Sequence, residues 1–192
     1  MKCSVFIATS TDGYIAKLDG NVDWLHTTGN IEAEMADEQD MGFYDFIASV
    51  DCMVMGRKSM EMISKMNLSP ENWPYGSIRI IVLSRSVTQP PKNLFDKVEM
   101  FAGDIVPLMH QLSLEGYHHA YIDGGVTITA FLKAKLINEM IITQAPILLG
   151  KGVPLFGEMS QAITLKKAKV KAFPNDFIQV SYQVEYKIEG VN

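Results

Sequence analysis

The stretch from Ala120 to Gly157 constrains the fold more than any other part of the chain. A short apolar run, Ala120 to Ile122, leads through Asp123 to the pair Gly124-Gly125, and an apolar-periodic segment follows from about Thr127 to Leu136. The pattern predicts a buried strand feeding a helix, then a second strand from Glu139 to Pro146 and a glycine-punctuated loop ending at Gly157. Bare backbone at Gly124-Gly125 lets a ligand approach closely, and the unpaired N–H groups that open the helix would face an anion placed there. The same glycines also suit a tight strand-to-helix turn that binds nothing.

Two further strand ends carry polar groups. The apolar run Asp51 to Met55 ends in Gly56-Arg57-Lys58-Ser59 ahead of a helix from Met60 to Met66, and Ile78 to Leu83 ends in Ser84-Arg85-Ser86. A guanidinium, an ammonium and hydroxyls at such corners are what phosphates require, although a capped helix with solvated charges has the same composition. Ligands of open α/β sheets gather outside the carboxyl ends of strands, so the three ends together predict one extended, phosphate-bearing ligand such as a dinucleotide. Neither a GxGxxG fingerprint nor a Walker A lysine motif is present.

The remaining elements fill out an α/β pattern. Lys2 to Thr9 predicts a central strand, Asn30 a cap for a helix over about Ile31 to Val50, Val98 to Phe101 a strand and Ile105 to Leu114 a helix. Asn67 to Ser77, with two prolines and a glycine, predicts a loop with exposed aromatics at the rim of a site. Trp24 either plugs the core or walls a pocket. After Gly157 strict alternation takes over: Ala162 to Ala172 and Asp176 to Ile188 predict an antiparallel hairpin whose Ile178, Val180, Tyr182, Val184, Tyr186 and Ile188 share a face. That hairpin offers more apolar strand than one small sheet covers, so a homodimer is expected.

With 192 residues, 47% hydrophobic and 20% charged, the chain suits one globular domain over residues 1–192. No apolar run approaches the roughly 20 residues that cross a bilayer, and the start of the chain lacks a signal-peptide pattern, so a cytoplasmic protein without a membrane partner is expected. A formal net charge of -5 leaves no footprint for nucleic acid. In the run Lys166 to Lys171, strand period places Lys167, Lys169 and Lys171 on one face of a lysine-protected edge strand. Cys3 and Cys52 fall in apolar strands and read as core thiols. The histidines His26, His110, His118 and His119 have no metal-ligand spacing.

The order of Ser10-Thr11-Asp12-Gly13-Tyr14-Ile15-Ala16, Val22-Asp23-Trp24-Leu25, Met55-Gly56-Arg57-Lys58-Ser59, Leu83-Ser84-Arg85, Ile122-Asp123-Gly124-Gly125 and Ala145-Pro146-Ile147-Leu148-Leu149-Gly150-Lys151-Gly152 resembles the dihydrofolate reductase-like superfamily over essentially the whole chain. Within it the chain is most similar to the C-terminal reductase domain of bifunctional riboflavin-biosynthesis deaminase-reductases. The resemblance implies a mixed, mostly parallel sheet flanked by helices with a C-terminal antiparallel hairpin, NADPH as hydride donor, a small heterocyclic substrate and a homodimer. It assigns Gly56, Arg57, Lys58 and Ser59 to cofactor phosphates, Ser84 and Arg85 to the adenosine 2'-phosphate, and Gly124 and Gly125, joined by a cis peptide in folate reductases, to the pyrophosphate and nicotinamide. Ala8, Asp23, Trp24 and Glu34 would border the substrate, with Asp123 and Trp24 as the candidate catalytic residues. Asp123 also reads as a plain turn aspartate.

Two departures from the superfamily matter. Folate reductases place a carboxylate about five residues beyond the tryptophan, where this chain has Gly29. The zinc deaminase motifs fused to the riboflavin enzymes are absent, which implies a stand-alone reductase. The implied activity is reduction of a pyrimidine- or pteridine-like ring, on the pattern of 5-amino-6-(5-phosphoribosylamino)uracil reductase. Dihydrofolate reduction, or non-catalytic nucleotide binding by a dimer of the same fold, are the alternatives.

Overall fold

Apolar runs covered on both faces form the centre of the sheet, as expected for parallel strands. In this computed structural model, which describes residues 1–187, strand β1 (Lys2–Ser10) lies between two parallel neighbours, β6 (His119–Asp123) and β7 (Glu139–Ala145). The parallel series continues outward through β3 (Cys52–Gly56), β4 (Arg79–Leu83) and β5 (Glu99–Phe101). On the other side β10 (Ile178–Glu185) pairs antiparallel with β7, and β9 (Thr164–Ala172) pairs antiparallel with β10 at the edge. The eight-stranded order is β5-β4-β3-β6-β1-β7-β10-β9. A small antiparallel pair, β2 (Tyr14–Ala16) with β8 (Val153–Pro154), was not foreseen, because its strands are too short to show a period.

Helices cover both faces. On one face α4 (Ile105–Leu114) and α5 (Gly125–Lys133) bring Leu108, Leu112, Ile128 and Phe131 onto Val5, Val54, Ile81 and Ile122. On the other face α2 (Phe43–Ala48) and α3 (Arg57–Met66) bring Phe46, Ile47, Met60 and Ile63 onto Met53, Met55, Ile80 and Tyr121. A third cluster joins Trp24, from the short α1 (Trp24–Thr27), to Ala145, Phe173 and Phe177. Cys3 and Cys52 are free, buried thiols, and burial pushes them to about 11 and about 12, so they are inert at neutral pH. Among the described residues no helix is long and apolar enough to cross a membrane.

Several expectations are corrected. The helix over Ile31 to Val50 does not form: only a 3-10 turn at Ala36–Glu38 and α2 occur there. The Asp40 carboxylate accepts the N–H groups of Gly42 and Tyr44, Gly42 adopts a left-handed conformation, and Ala36 and Met41 have positive φ. Short polar side chains that bind nearby backbone compete with the helix ladder, and here they prevail. In the 67–77 segment Trp73 and Tyr75 pack against the α2/α3 side of the core instead of forming an exposed rim. A bulge between Ser181 and Gln183 leaves Lys167 at φ 55, so that Lys166, Lys169 and Lys171, not Lys167, share a face. No cis peptide occurs among the described residues, which corrects the implication for Gly124-Gly125. Ile188, expected on the apolar face of the hairpin, lies outside the described residues.

His119 sits at the amino end of β6, remote from the glycine pair. Its Nδ1 donates to the Ser49 carbonyl at 2.8 Å, so Nε2, 2.8 Å from Ser4 Oγ, is the acceptor of a neutral ring. Burial is the main reason that its pKa is depressed. The native state therefore binds fewer protons than the unfolded chain just below the ordinary imidazole pKa of about 6.5, and this contribution to stability is lost as pH falls from there. Urea unfolding should show stability declining from about pH 7.5 to about pH 5.5, and His119→Gln should flatten the decline. Equal slopes in both proteins would remove His119 as its source.

Candidate active site

Two helices begin at adjacent strand ends with no loop between. β3 ends at Gly56 and α3 begins at Arg57; β6 ends at Asp123, and Gly124 alone separates it from α5. Parallel pairing of Met55 with Asp123 sets Gly56 beside Gly124. Neither helix has a side-chain N-cap, so the first-turn N–H groups of both point outward unpaired by any cap, with the positive ends of two helix dipoles together.

The closeness of the two corners explains the glycines. A Cβ on Gly124 would come 2.7 Å from Ser59 Oγ, and one on Gly56 would come 2.9 Å from Thr127 Oγ1. Gly124 also has φ 88 and ψ 132, a conformation that an L side chain rarely adopts. Gly125 is different: a Cβ there would meet the backbone oxygens of Pro154 at 2.6 Å and Leu155 at 3.0 Å. It lets α5 pack against β8 and does not face open space.

The cations are nearby but engaged. Arg57 pairs with Glu61 at 2.5 Å and Lys58 reaches the same carboxylate at 3.4 Å. At the next strand end, Ser84 Oγ accepts the Val87 N–H at 2.9 Å and so shapes the turn, while Arg85 pairs at 2.9 Å with Asp104 on the surface. Gly124, Gly56 and Ser84 thus mark three neighbouring strand ends, β6, β3 and β4, along one border of the sheet.

Asp123 points to the α2/α3 face, as does Tyr121 two residues earlier on the same strand. Its carboxyl is densely surrounded, yet the residue keeps some solvent exposure. Burial raises its pKa; the Ser59 hydroxyl, the Gly124 N–H and Tyr121 act in the opposite direction. Tyr121 Oη lies 3.3 Å from Asp123 Oδ1, and Tyr75, whose own hydroxyl is pushed up by burial, is close enough to feel the charge of Asp123. Phe6, Phe43 and Phe46 complete an aromatic cluster with these tyrosines. Ala8, two residues beyond Phe6 on β1, shares that face and is half-buried.

The other expected substrate residues fare differently. Trp24 is only 2% exposed, so it fills the core in place of walling an open pocket, and its indole N–H has no partner among the described residues. Asp23 is exposed and accepts Asn21 Nδ2 at 2.6 Å. Glu34 lies on a shallow surface depression with Ile31 and Met35. No hydrogen bond or ion pair joins Asp23 or Glu34 to Asp123 among the described residues.

Sequence reasoning missed Tyr121, Tyr75 and the work of Asp12. Tyr121 was legible from strand period, two residues before Asp123. The Asp12 carboxylate accepts the Gly150 and Leu149 N–H groups at 2.7 and 3.1 Å and the Ser10 hydroxyl at 2.6 Å, bonds that hold its pKa low, the Ser10 bond foremost. It fastens the loop after β7, which leads into β8 and its contact with Gly125.

A mostly parallel eight-stranded sheet with flanking helices and a C-terminal antiparallel hairpin is the fold of a dihydrofolate reductase-like domain. The RibD C-terminal domain family matches residues 2–179, and the chain belongs to that family of reductase domains. It is 32% identical over 183 residues to the uncharacterized protein YwjB of Bacillus subtilis, with 94% of this chain and 97% of YwjB covered. A solved Shewanella sp. PV-4 structure named for riboflavin biosynthesis is 40% identical with a TM-score of 0.86, covering 97% of this chain and all (100%) of that one. Acinetobacter baumannii RibD shares the fold at 20% identity and a TM-score of 0.70, and the match covers 96% of this chain and 58% of that protein.

The contact at Gly125 sets a prediction. Gly125→Val should destabilise the fold by about 1 to 3 kcal/mol by forcing α5 off the Pro154 and Leu155 carbonyls. Thermal or urea unfolding reads this directly, and wild-type stability would show that the β8 contact does not confine Gly125.

Proposed function

We propose that this protein is an NADPH-dependent oxidoreductase acting on a pyrimidine- or pteridine-like substrate, with 5-amino-6-(5-phosphoribosylamino)uracil reduction as its closest analogy. The observation that carries the reading is the pair of uncapped helix N-termini meeting at Gly56 and Gly124, one residue from the Asp123 carboxyl. A pyrophosphate would be drawn to that junction: two sets of N–H groups face it, and Arg57 and Lys58, the first residues of α3, stand beside them.

When bound, a reduced nicotinamide would supply the hydride; the protein's own task is placement. Gly56, Ser59, Gly124 and the first turn of α5 would hold the phosphates. Ser84 and Arg85 would read the adenosine 2'-phosphate, for which Arg85 must leave Asp104. Ala8, Phe6 and the tyrosine pair would present a flat apolar floor to the ring, and Asp123 would handle the proton.

The folate alternative is weakened at Gly29. That residue has φ 77, and any Cβ would collide with the Asn175 carbonyl, so the position at which folate reductases carry a carboxylate cannot hold a side chain. A non-catalytic binder would take up NADPH and oxidise none with any ring substrate offered.

A homodimer belongs to the same reading. Val170, Ile178 and Leu165 are 69%, 43% and 38% exposed on the face of the hairpin that also carries Val180 and Tyr182. A second copy of the chain is the occupant that would cover them. Sedimentation at micromolar concentration should show a dimer, and only monomer would end this part of the proposal.

Cofactor choice tests the site. A charge-assisted hydrogen bond contributes roughly 1.5 to 3 kcal/mol, so Arg85→Ala should weaken NADPH by about ten- to a hundredfold and leave NADH nearly unchanged. Titration of both cofactors at fixed ionic strength measures this, since a merely solvated Arg85 would shift both weakly and alike.

A further inference from the structure

We infer that Thr143 and Gln179 form a recognition pair for the lactam edge of the substrate ring: the Thr143 hydroxyl donates to the ring carbonyl oxygen, and the Gln179 amide oxygen accepts from the neighbouring ring N–H. The pair lies on the α2/α3 face, where β1, β7 and β10 run side by side. Ala8 is in register with Thr143, and Thr143 with Gln179. The inference rests on the reading above that a heterocyclic ring lies over Ala8.

Hydrogen bonds fix which way each group faces. Gln179 Nε2 lies 3.0 Å from the Met41 carbonyl oxygen and 2.9 Å from Thr143 Oγ1. A carbonyl only accepts, so the nitrogen of the side-chain amide, not its oxygen, faces Met41, and its two hydrogens are spent on these two contacts. Two groups are left over. Thr143 Oγ1 accepts from Gln179 and therefore keeps its own hydrogen, which turns away from β10. Gln179 Oε1, on the other branch of the planar amide, keeps its lone pairs. Neither the hydroxyl hydrogen nor the amide oxygen has a partner among the described residues.

The surroundings direct both groups to a ligand. Thr143 is 3% exposed, so bulk water hydrates its hydroxyl poorly, and a buried donor left unpaired is destabilising. Toward β1 its neighbour on this face is the methyl group of half-buried Ala8, the side chain that takes up least space there. Gln179 is half-buried, which leaves its amide within reach. β6 and β7 flank β1, so a planar ring over Phe6 and Ala8 has Asp123 along one edge and Thr143 along the other. A donor beside an acceptor complements a cyclic amide, whose C=O stands next to an N–H. Uracil-type and oxo-pteridine rings have that edge; aminopyrimidines without an oxo group do not. A ring that lacks one half of it leaves a buried polar group unpaired, which is how such a site discriminates. Both residues stand on strands, β7 and β10, so the pair is held more rigidly than loop residues would be.

The test titrates two probes into the full-length protein by calorimetry, without cofactor: 5,6-diaminouracil, and its 1,3-dimethyl derivative, which keeps both carbonyl oxygens and has no ring N–H. Wild type should bind the parent ring at least about threefold more tightly than the dimethyl ring. Thr143→Val keeps the shape without the hydroxyl and should weaken both rings about three- to tenfold, the worth of one neutral hydrogen bond; Thr143→Ser should restore both. Gln179→Met keeps the length without the amide and should bring the two affinities together, because the dimethyl ring does not use Oε1. Four results overturn the proposal: a Thr143→Val protein that binds both rings as wild type does, a Thr143→Ser protein as weak as the valine variant, a preference for the parent ring that survives Gln179→Met, or a wild type that binds neither ring. Should Gln179→Met fail to fold, the valine and serine variants decide alone. NADPH oxidation with the parent ring is a separate arm. No turnover, with ring binding and its variants as expected, would remove the reductase reading and leave the recognition pair standing.

Discussion

The structure depends on two places where a strand passes into a helix across one glycine. At Gly56 and Gly124 the sheet and two helices meet so tightly that a methyl group at either would strike Ser59 or Thr127. The same crowding that forbids a side chain leaves backbone N–H groups, with the Ser59 and Thr127 hydroxyls, as the polar groups at the junction. The packing requirement and the anion seat are therefore one feature, because α3 and α5 cannot approach without baring their first turns. An Asp or Ser at either position would strike Ser59 or Thr127, so neither helix can be capped from its glycine.

From that junction the rest of the site is placed by strand geometry. Register sets Gly56 beside Gly124, and period two sets Tyr121 and Asp123 on one face and Phe6 and Ala8 on another strand of the same face. The β2–β8 pair and the Asp12 carboxylate then fasten the loop after β7, whose continuation packs on Gly125. The anion seat and the Asp123 carboxyl lie on either side of a single residue, so the positions of the phosphates and of the reacting ring would be coupled through Gly124.

What the sequence revealed follows physical lines. The core strands, the glycine pair and the three polar strand ends were legible because each is a local pattern: a short apolar run, a bare backbone, a cluster of donors. The 30–50 segment was not, because its Met35, Phe43 and Phe46 have helical spacing while Asp40 and Gly42 divert the backbone. Nor does that segment support itself. Asn30 N–H reaches the Asn175 carbonyl, Gln179 Nε2 donates to the Met41 carbonyl at 3.0 Å, and Lys171 pairs with Glu38 at 2.7 Å, all contacts to the distant β9–β10 hairpin. Trp24 shows the same limit: an indole near a turn reads as plug or wall, and only the burial of Phe173 and Phe177 against it decides for the plug. Lys167 was misplaced because a bulge shifts strand period by one residue and leaves no mark in a run of lysines.

The Asp123 carboxyl and the proposed anion seat also constrain each other. The N-terminus of α5, one residue after Asp123, favours any negative charge near it, and Gly124 N–H already acts on the carboxyl in that sense. An anion resting on the same N–H groups would consume that compensation and place like charge beside the carboxyl, which pushes its pKa further upward. On the proposed reading, protonation of Asp123 and binding of a phosphate at Gly124 would reinforce one another.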